Sequence, residues 1–104
     1  KYLPKKACAI LEIGSGPGTL ALWLSAQGHS VTCIEPASKP ARLALERGLK
    51  VIQCRLQDFE DAGKYDAVLA ISSLIHIPKN EIAAQIGKIA SLLQPDGVVF
   101  MSFI

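Results

Sequence analysis

The chain has 104 residues, half of them hydrophobic and 19% charged, which fits one domain with a modest buried core. A net charge of +2 without a dense Lys/Arg run gives no basis for a duplex nucleic-acid partner beyond a small basic patch. No apolar run reaches the roughly 18 residues of a membrane span, so no membrane partner is expected.

The first apolar run, residues 7–13, reads as a strand and ends on the glycine-rich stretch from Gly14 to Gly18. A helix is expected over residues 17–27, with Pro17 in its first turn, where the missing N–H costs little, and Gly28 stopping it. A second strand follows at residues 30–35. Ser38 is suited to N-cap a helix over residues 39–47 that Gly48 ends. A third strand is read at residues 50–54. Only roughly ten residues separate it from a fourth strand at 65–71, so any helix between them is short. Ile82, Ile86, Ile89 and Leu93 recur at helical spacing and define a third helix over residues 79–93, despite Gly87. Gln94-Pro95-Asp96-Gly97 reads as a turn into a fifth strand at 97–103.

Most of these strands are nearly continuous apolar runs, the pattern of strands covered on both faces. Strands alternating with helices give an α/β, doubly wound parallel sheet. The chain shows no internal repeat, linker or low-complexity segment.

The sharpest feature is Ile10-Leu11-Glu12-Ile13-Gly14-Ser15-Gly16-Pro17-Gly18, joining the first strand to the first helix. Glycines accept positive φ and let a ligand approach the backbone, while the following helix points free N–H groups at it. In an open α/β sheet this turn lies at the carboxyl edge of the strands, where ligands bind. A dinucleotide fingerprint would place a third glycine at position 19, which is Thr19; here it is Gly18. Glu35 ends the second strand about 20 residues beyond, where a carboxylate can accept hydrogen bonds from both hydroxyls of a ribose. Standing alone, it reads equally as a solvated strand-end acid.

On these motifs the sequence resembles the class I S-adenosylmethionine-dependent methyltransferases. Leu11 to Gly18 looks like their first motif and Val31 to Pro36 like their second-strand acid. Leu56-Gln57-Asp58-Phe59 is similar to their adenine-contacting loop, Tyr65 to Ala70 to their fourth strand, and Leu92 to Gly97 to the turn before their fifth. Ser72-Ser73-Leu74-Ile75-His76-Ile77-Pro78 followed by Lys79-Asn80-Glu81 is most similar to tellurite-resistance-type small-molecule methyltransferases. The resemblance implies a Rossmann-like sheet of order 3-2-1-4-5 and S-adenosyl-L-methionine as cofactor. The function it implies is methyl transfer to a small-molecule acceptor. Members usually continue past the fifth strand into a helix and an antiparallel hairpin. This chain stops at Ile104, so residues 1–104 are read as the cofactor-binding core of a longer chain, lacking that hairpin.

The resemblance also implies roles. Gly14, Ser15, Gly16 and Gly18 cradle the cofactor, and Glu35 with Pro36 takes the ribose. Gln57 and Asp58 meet the adenine, on which Phe59 packs unless it is an ordinary core anchor. The backbone of Ser72 and Ser73 meets the methionine portion, and Glu12 holds backbone or water near the cofactor's amino group. Because a buried carboxylate without partners is costly, Glu12 is expected to have some. His76 is either a general base near the acceptor or a histidine packed under the next helix. His29 is expected to be solvated, Trp23 and Leu24 to be core, and Lys1, Lys5 and Lys6 a frayed start.

Two other functions share parts of the pattern: a nicotinamide-dependent oxidoreductase, against which Thr19 argues, and a non-catalytic cofactor-binding fragment. In the latter, the last strand would present an apolar edge for self-association. Cys8, Cys33 and Cys54 contain no C-x-x-C and are expected to be buried reduced thiols rather than metal ligands, in keeping with a cytoplasmic location. No signal peptide is visible, and since the chain begins at Lys1, a removed leader is left open.

Overall fold

The structure is a computed structural model that describes residues 7–61, 64–71 and 79–102. In chain order the elements are β1 (Ala9–Ile13), α1 (Thr19–Ala26), β2 (Ser30–Ile34), α2 (Ser38–Glu46) and β3 (Lys50–Ile52). A single 3₁₀ turn (Leu56–Asp58) leads on to β4 (Tyr65–Ile71), α3 (Lys79–Leu92) and β5 (Leu93–Ser102). The strands form one sheet of order β3-β2-β1-β4-β5, every neighbouring pair parallel. The expected α/β architecture and strand order are both present.

Each face of the sheet carries its own apolar cluster. Ile10, Val31, Cys33, Ala67 and Leu69 meet Ala21 and Leu24 of α1 and Ala44 of α2. On the other face Leu11, Ile13, Ile34 and Val68 meet Ile89 and Leu92 of α3. Successive residues of β1 and β4 alternate between the clusters, which is why their sequences read as continuous apolar runs. Each fully buried Leu, Ile or Val contributes roughly 1.5–3 kcal/mol relative to exposure.

Several elements depart from their expected limits for identifiable reasons. α1 starts at Thr19, not Pro17, because Gly18 is its N-cap at φ +88° and its N–H closes a turn onto the Ser15 carbonyl (3.1 Å). Ser38 is not the N-cap of α2. Ala37 is, without a side-chain cap, and the Glu35 carboxylate accepts the Ala37 N–H instead (3.0 Å). β5 begins at Leu93, paired with Tyr65, and the next registered pair is Ala67 with Val98. The expected turn at 94–97 is therefore an irregularity within the ladder rather than a separate connection.

Trp23 is 59% exposed, contrary to expectation: the buried stripe of α1 is Ala21 and Leu24, three apart, and Trp23 lies off it. His29 is half-buried rather than solvated, and its Nδ1 accepts the Cys8 N–H at 3.1 Å. The next amide, Ala9 N–H, is taken by Asp66 Oδ2 at 2.9 Å, so two side chains satisfy the entry to β1. Cys8 and Cys33 are buried and Cys54 is half-buried. Among the described residues no helix is long and apolar enough to cross a membrane.

Candidate functional site

The glycine stretch turns sharply at the carboxyl end of β1 and is held there by the neighbouring strand. Gly14 N–H and Ser15 N–H both donate to the Ile34 carbonyl, at 2.8 and 3.3 Å. Gly16 N–H donates to Glu35 Oε1 at 2.7 Å. The other Glu35 oxygen accepts from Ala37, so one carboxylate ties the loop after β1 to the turn after β2. On the outer side Arg47 of α2 donates to the Pro17 carbonyl at 3.3 Å. The hollow is thus shaped by the protein's own contacts before any ligand arrives, the condition for low reorganisation on binding.

Gly16 and Gly18 are required for different reasons. Gly16 has φ +58°, and a Cβ there would meet nothing within 4 Å: the backbone faces open space. Gly18 has φ +88°, and a Cβ there would overlap Leu49 Cδ1 and lie 3.2 Å from Ala44 Cβ. The first leaves the loop backbone facing open space, whereas the second lets the start of α1 pack close to Ala44 and Leu49.

Glu12 lies on β1 below this hollow, paired with Cys33 of β2 on one side and Leu69 of β4 on the other. It is only 6% exposed, and its Oε1 has no hydrogen-bond partner among the described residues, contrary to the expectation that a buried carboxyl would be paired. Burial, and secondarily the negative charge of Glu35, pushes its carboxyl up to about 7. The Cys33 thiol is pushed up to about 11, by burial first and then by Glu12, partly offset by the Ser15 hydroxyl. A buried acid with an unmet acceptor beneath the glycine loop suits a ligand that brings a donor or a positive charge.

The rest of the site is contributed by the end of β3. Glu35 N–H donates to the Ile52 carbonyl (3.2 Å), aligning the ends of β2 and β3, so the 3₁₀ turn lies on the same edge of the sheet. Pro36 and Gln57 are exposed there, and the Pro36 carbonyl accepts from Gln53 Nε2 at 3.3 Å. Asp58 is exposed and paired with Arg55 (Nε to Oδ2, 3.2 Å), a contact not anticipated from sequence. Phe59 is 5% exposed inside the cluster on the α3 face, its ring centroid 6.3 Å from that of Tyr65. Its ring is a core anchor rather than a platform open to an adenine. Ser72, Ser73 and His76, and with them the whole 72–78 segment, lie outside the described residues.

Gly14, Ser15, Gly16, Gly18, Glu35 and Glu12 are therefore brought together as expected, with Pro36 and the 3₁₀ turn at the rim. Sequence reasoning missed Arg47, Ala44, Leu49 and the Ala37 amide, which brace the loop. The small Ala44 opposite Gly18 is the one signal of close helix approach, and it is visible only once the two helices are known to be neighbours.

Residues 10–97 match the family model described as a methyltransferase domain. The ubiquinone biosynthesis O-methyltransferase of Vibrio parahaemolyticus is 38% identical over 101 residues, covering 89% of this chain and 42% of the relative. That of Xylella fastidiosa is 36% identical over 113 residues, covering 100% of this chain and 45% of the relative. Among solved structures, the Burkholderia thailandensis 1,6-didemethyltoxoflavin-N1-methyltransferase, with 1,6-didemethyltoxoflavin and S-adenosylhomocysteine bound, superposes with a TM-score of 0.83 at 25% identity. That superposition covers 92% of this chain and 44% of the other. The chain spans less than half the length of the curated relatives it matches.

Proposed function

The chain belongs to the methyltransferase domain family, and we propose that it is the cofactor-binding part of an S-adenosylmethionine-dependent O-methyltransferase acting on a small molecule. The single observation that carries this reading is the joined loop and acid: a Cβ-free backbone at Gly16 held 2.7 Å from the carboxylate of Glu35. The ubiquinone-biosynthesis relatives support an oxygen atom as the methyl acceptor.

The residues present fit this cofactor. Each Glu35 oxygen gives one lone pair to a backbone N–H and keeps another, so the two remaining lone pairs can accept the two hydroxyls of a ribose. Gly16 leaves room for a ligand against the backbone. The orphaned Glu12 Oε1 supplies the acceptor that an ammonium group needs. Pro36 and the Leu56–Asp58 turn border the space beside the ribose, where an adenine would lie, with Asp58 as its polar neighbour.

S-adenosylmethionine, when bound, supplies a methyl group on a positively charged sulfur, open to in-line attack by an acceptor lone pair. The protein's contribution is to orient and to exclude water: holding two reactants in line can supply roughly 7–11 kcal/mol in favourable cases. His76 is proposed as the base that takes the hydroxyl proton of the acceptor, with the Ser72 and Ser73 backbone alongside the methionine portion.

The test is to incubate the intact protein with methyl-labelled S-adenosylmethionine and a panel of small hydroxylated, amine and thiol acceptors. Label transferred to an acceptor oxygen, with equimolar S-adenosylhomocysteine formed, is expected. Label appearing on nitrogen or sulfur acceptors and never on oxygen would refute the O-methyl reading.

A further inference from the structure

We propose that Glu12 exchanges a proton with solvent as the cofactor binds: a partly protonated acid in the free protein, it becomes a carboxylate when a cationic ligand lies over it. The inference rests on the cofactor reading above and adds a proton to its binding equilibrium. The bond that breaks is the Glu12 O–H. Its proton leaves to buffer, and the electron pair stays on the carboxylate, where it faces the positive charge of the ligand.

Among the described residues, the geometry sets no compensating cation against Glu12. Its register partner on β2 is Cys33, and Glu35 lies two residues further on, just past the end of β2, so the two acids are diagonal neighbours on the α1 side of the sheet. Both Glu35 oxygens are already engaged by the Gly16 and Ala37 amides. Ser15 above the pair offers only a hydroxyl, which lies 3.4 Å from the Gly16 carbonyl. On the opposite side Glu12 faces Leu69 of β4. Two helices pack over this face: α1, with the sequence TLALWLSA, carries no titratable group, and α2 meets it through buried Ala44 while its charged Lys39, Arg42 and Glu46 are exposed. Among the described residues, the charge that acts on Glu12 is that of Glu35 alone, and it repels.

Two acids this close in a low-dielectric setting cannot both be ionised without cost, and the one with an unmet oxygen is the one that keeps its proton. The Glu12 carboxyl, lifted to about 7, is half-protonated near neutral pH, whereas the Cys33 thiol, at about 11, remains neutral there. A cation placed against Oε1 reverses the balance by restoring the missing countercharge. S-adenosylmethionine carries two cations, a sulfonium and an ammonium, and S-adenosylhomocysteine retains only the ammonium. Either compound can therefore act, and comparing them identifies which cation does.

The experiment follows the Glu12 carboxyl carbon by ¹³C NMR in the intact protein across pH 4.5 to 9, free and saturated with each compound. The signal is assigned by its loss in Glu12→Gln. A midpoint near 7 in the free protein and one at least two pH units lower in the complex is expected. Calorimetry of the same protein in buffers of different ionisation enthalpy at pH 7 should show about half a proton released per molecule of S-adenosylmethionine bound, and the same for S-adenosylhomocysteine if the ammonium is the partner. Affinity should fall up to about tenfold per pH unit below pH 6.

An effect of equal size with both compounds assigns the partner as the ammonium, and one confined to S-adenosylmethionine assigns it as the sulfonium; both support the proposal. The same midpoint free and bound, or a free midpoint in the ordinary carboxylate range, would overturn it while leaving the cofactor reading intact. Failure of either compound to bind would overturn the cofactor reading and the proton exchange with it.

Discussion

Two alanine substitutions two residues apart should do opposite things. At Gly18, φ is +88° and an added Cβ would overlap Leu49 Cδ1 and press on Ala44 Cβ at 3.2 Å. The left-handed conformation costs a non-glycine residue about 1–2 kcal/mol. Crowding a packed helix contact adds about 1–3 kcal/mol. Leu49 can yield partly by turning its methyl, so the sum for Gly18→Ala is about 2–4 kcal/mol. For a domain of this size that lowers the melting temperature by roughly 10–25 °C.

At Gly16 the added Cβ meets nothing within 4 Å, so Gly16→Ala carries only the backbone cost, about 1 kcal/mol. Its methyl group instead occupies the space in which the ligand must lie. Melting by circular dichroism, paired with calorimetric titration of S-adenosylhomocysteine, separates the two. Gly18→Ala should melt far below the parent protein, whereas Gly16→Ala should melt within about 8 °C of it and bind at least tenfold more weakly. A Gly16→Ala protein that binds normally, or a Gly18→Ala protein as stable as the parent, would refute the division of roles.

Glu35→Ala removes a charged acceptor and should weaken S-adenosylhomocysteine binding by roughly 1–3 kcal/mol, about 5- to 150-fold by calorimetry; unchanged affinity in a folded variant would show that Glu35 does not hold the ribose. The free protein should lose stability as pH rises from 4.5 to 7. Over that window folded Glu12, lifted to about 7, binds more proton than unfolded Glu12. Denaturant titrations should show a loss of roughly 3 kcal/mol at most, which Glu12→Gln removes; a stability that rises through this range and is unaltered by the substitution would contradict the buried acid. Trp23→Ser, on the exposed side of α1, should change stability by less than about 0.5 kcal/mol; a loss of several kcal/mol by the same titrations would mean that the indole is covered.

The parallel sheet was legible because its inner strands β1, β2 and β4, covered on both faces, read as nearly continuous apolar runs, with helix-ending glycines such as Gly28 and Gly48 between elements. The glycine loop was legible because backbone chemistry favours glycine where φ is positive, as at Gly14, Gly16 and Gly18. Whatever depends on which elements become neighbours was not legible. Trp23 was taken as core because it is large and apolar, yet the α1 stripe that faces the sheet is set by Ala21 and Leu24. Ser38 has the chemistry of a cap, but the helix begins at Ser38 itself, with the Ala41 amide bonded to the Ala37 carbonyl. Phe59 has the chemistry of a stacking platform, but Tyr65 and the α3 cluster claim its ring. The orphaned oxygen of Glu12 is likewise a fact of packing, since nothing in the sequence shows which of the described residues lie beside it.

The most direct test of the central claim is a titration of the ¹⁵N-labelled protein with S-adenosylhomocysteine and, separately, with NADH. S-adenosylhomocysteine should saturate at one molecule per chain and shift the amides of Ser15, Gly16 and Ala37 most strongly, with NADH leaving them in place. Saturation by NADH at those same amides, with S-adenosylhomocysteine inert, would show that the hollow between Gly16 and Glu35 is built for a different nucleotide.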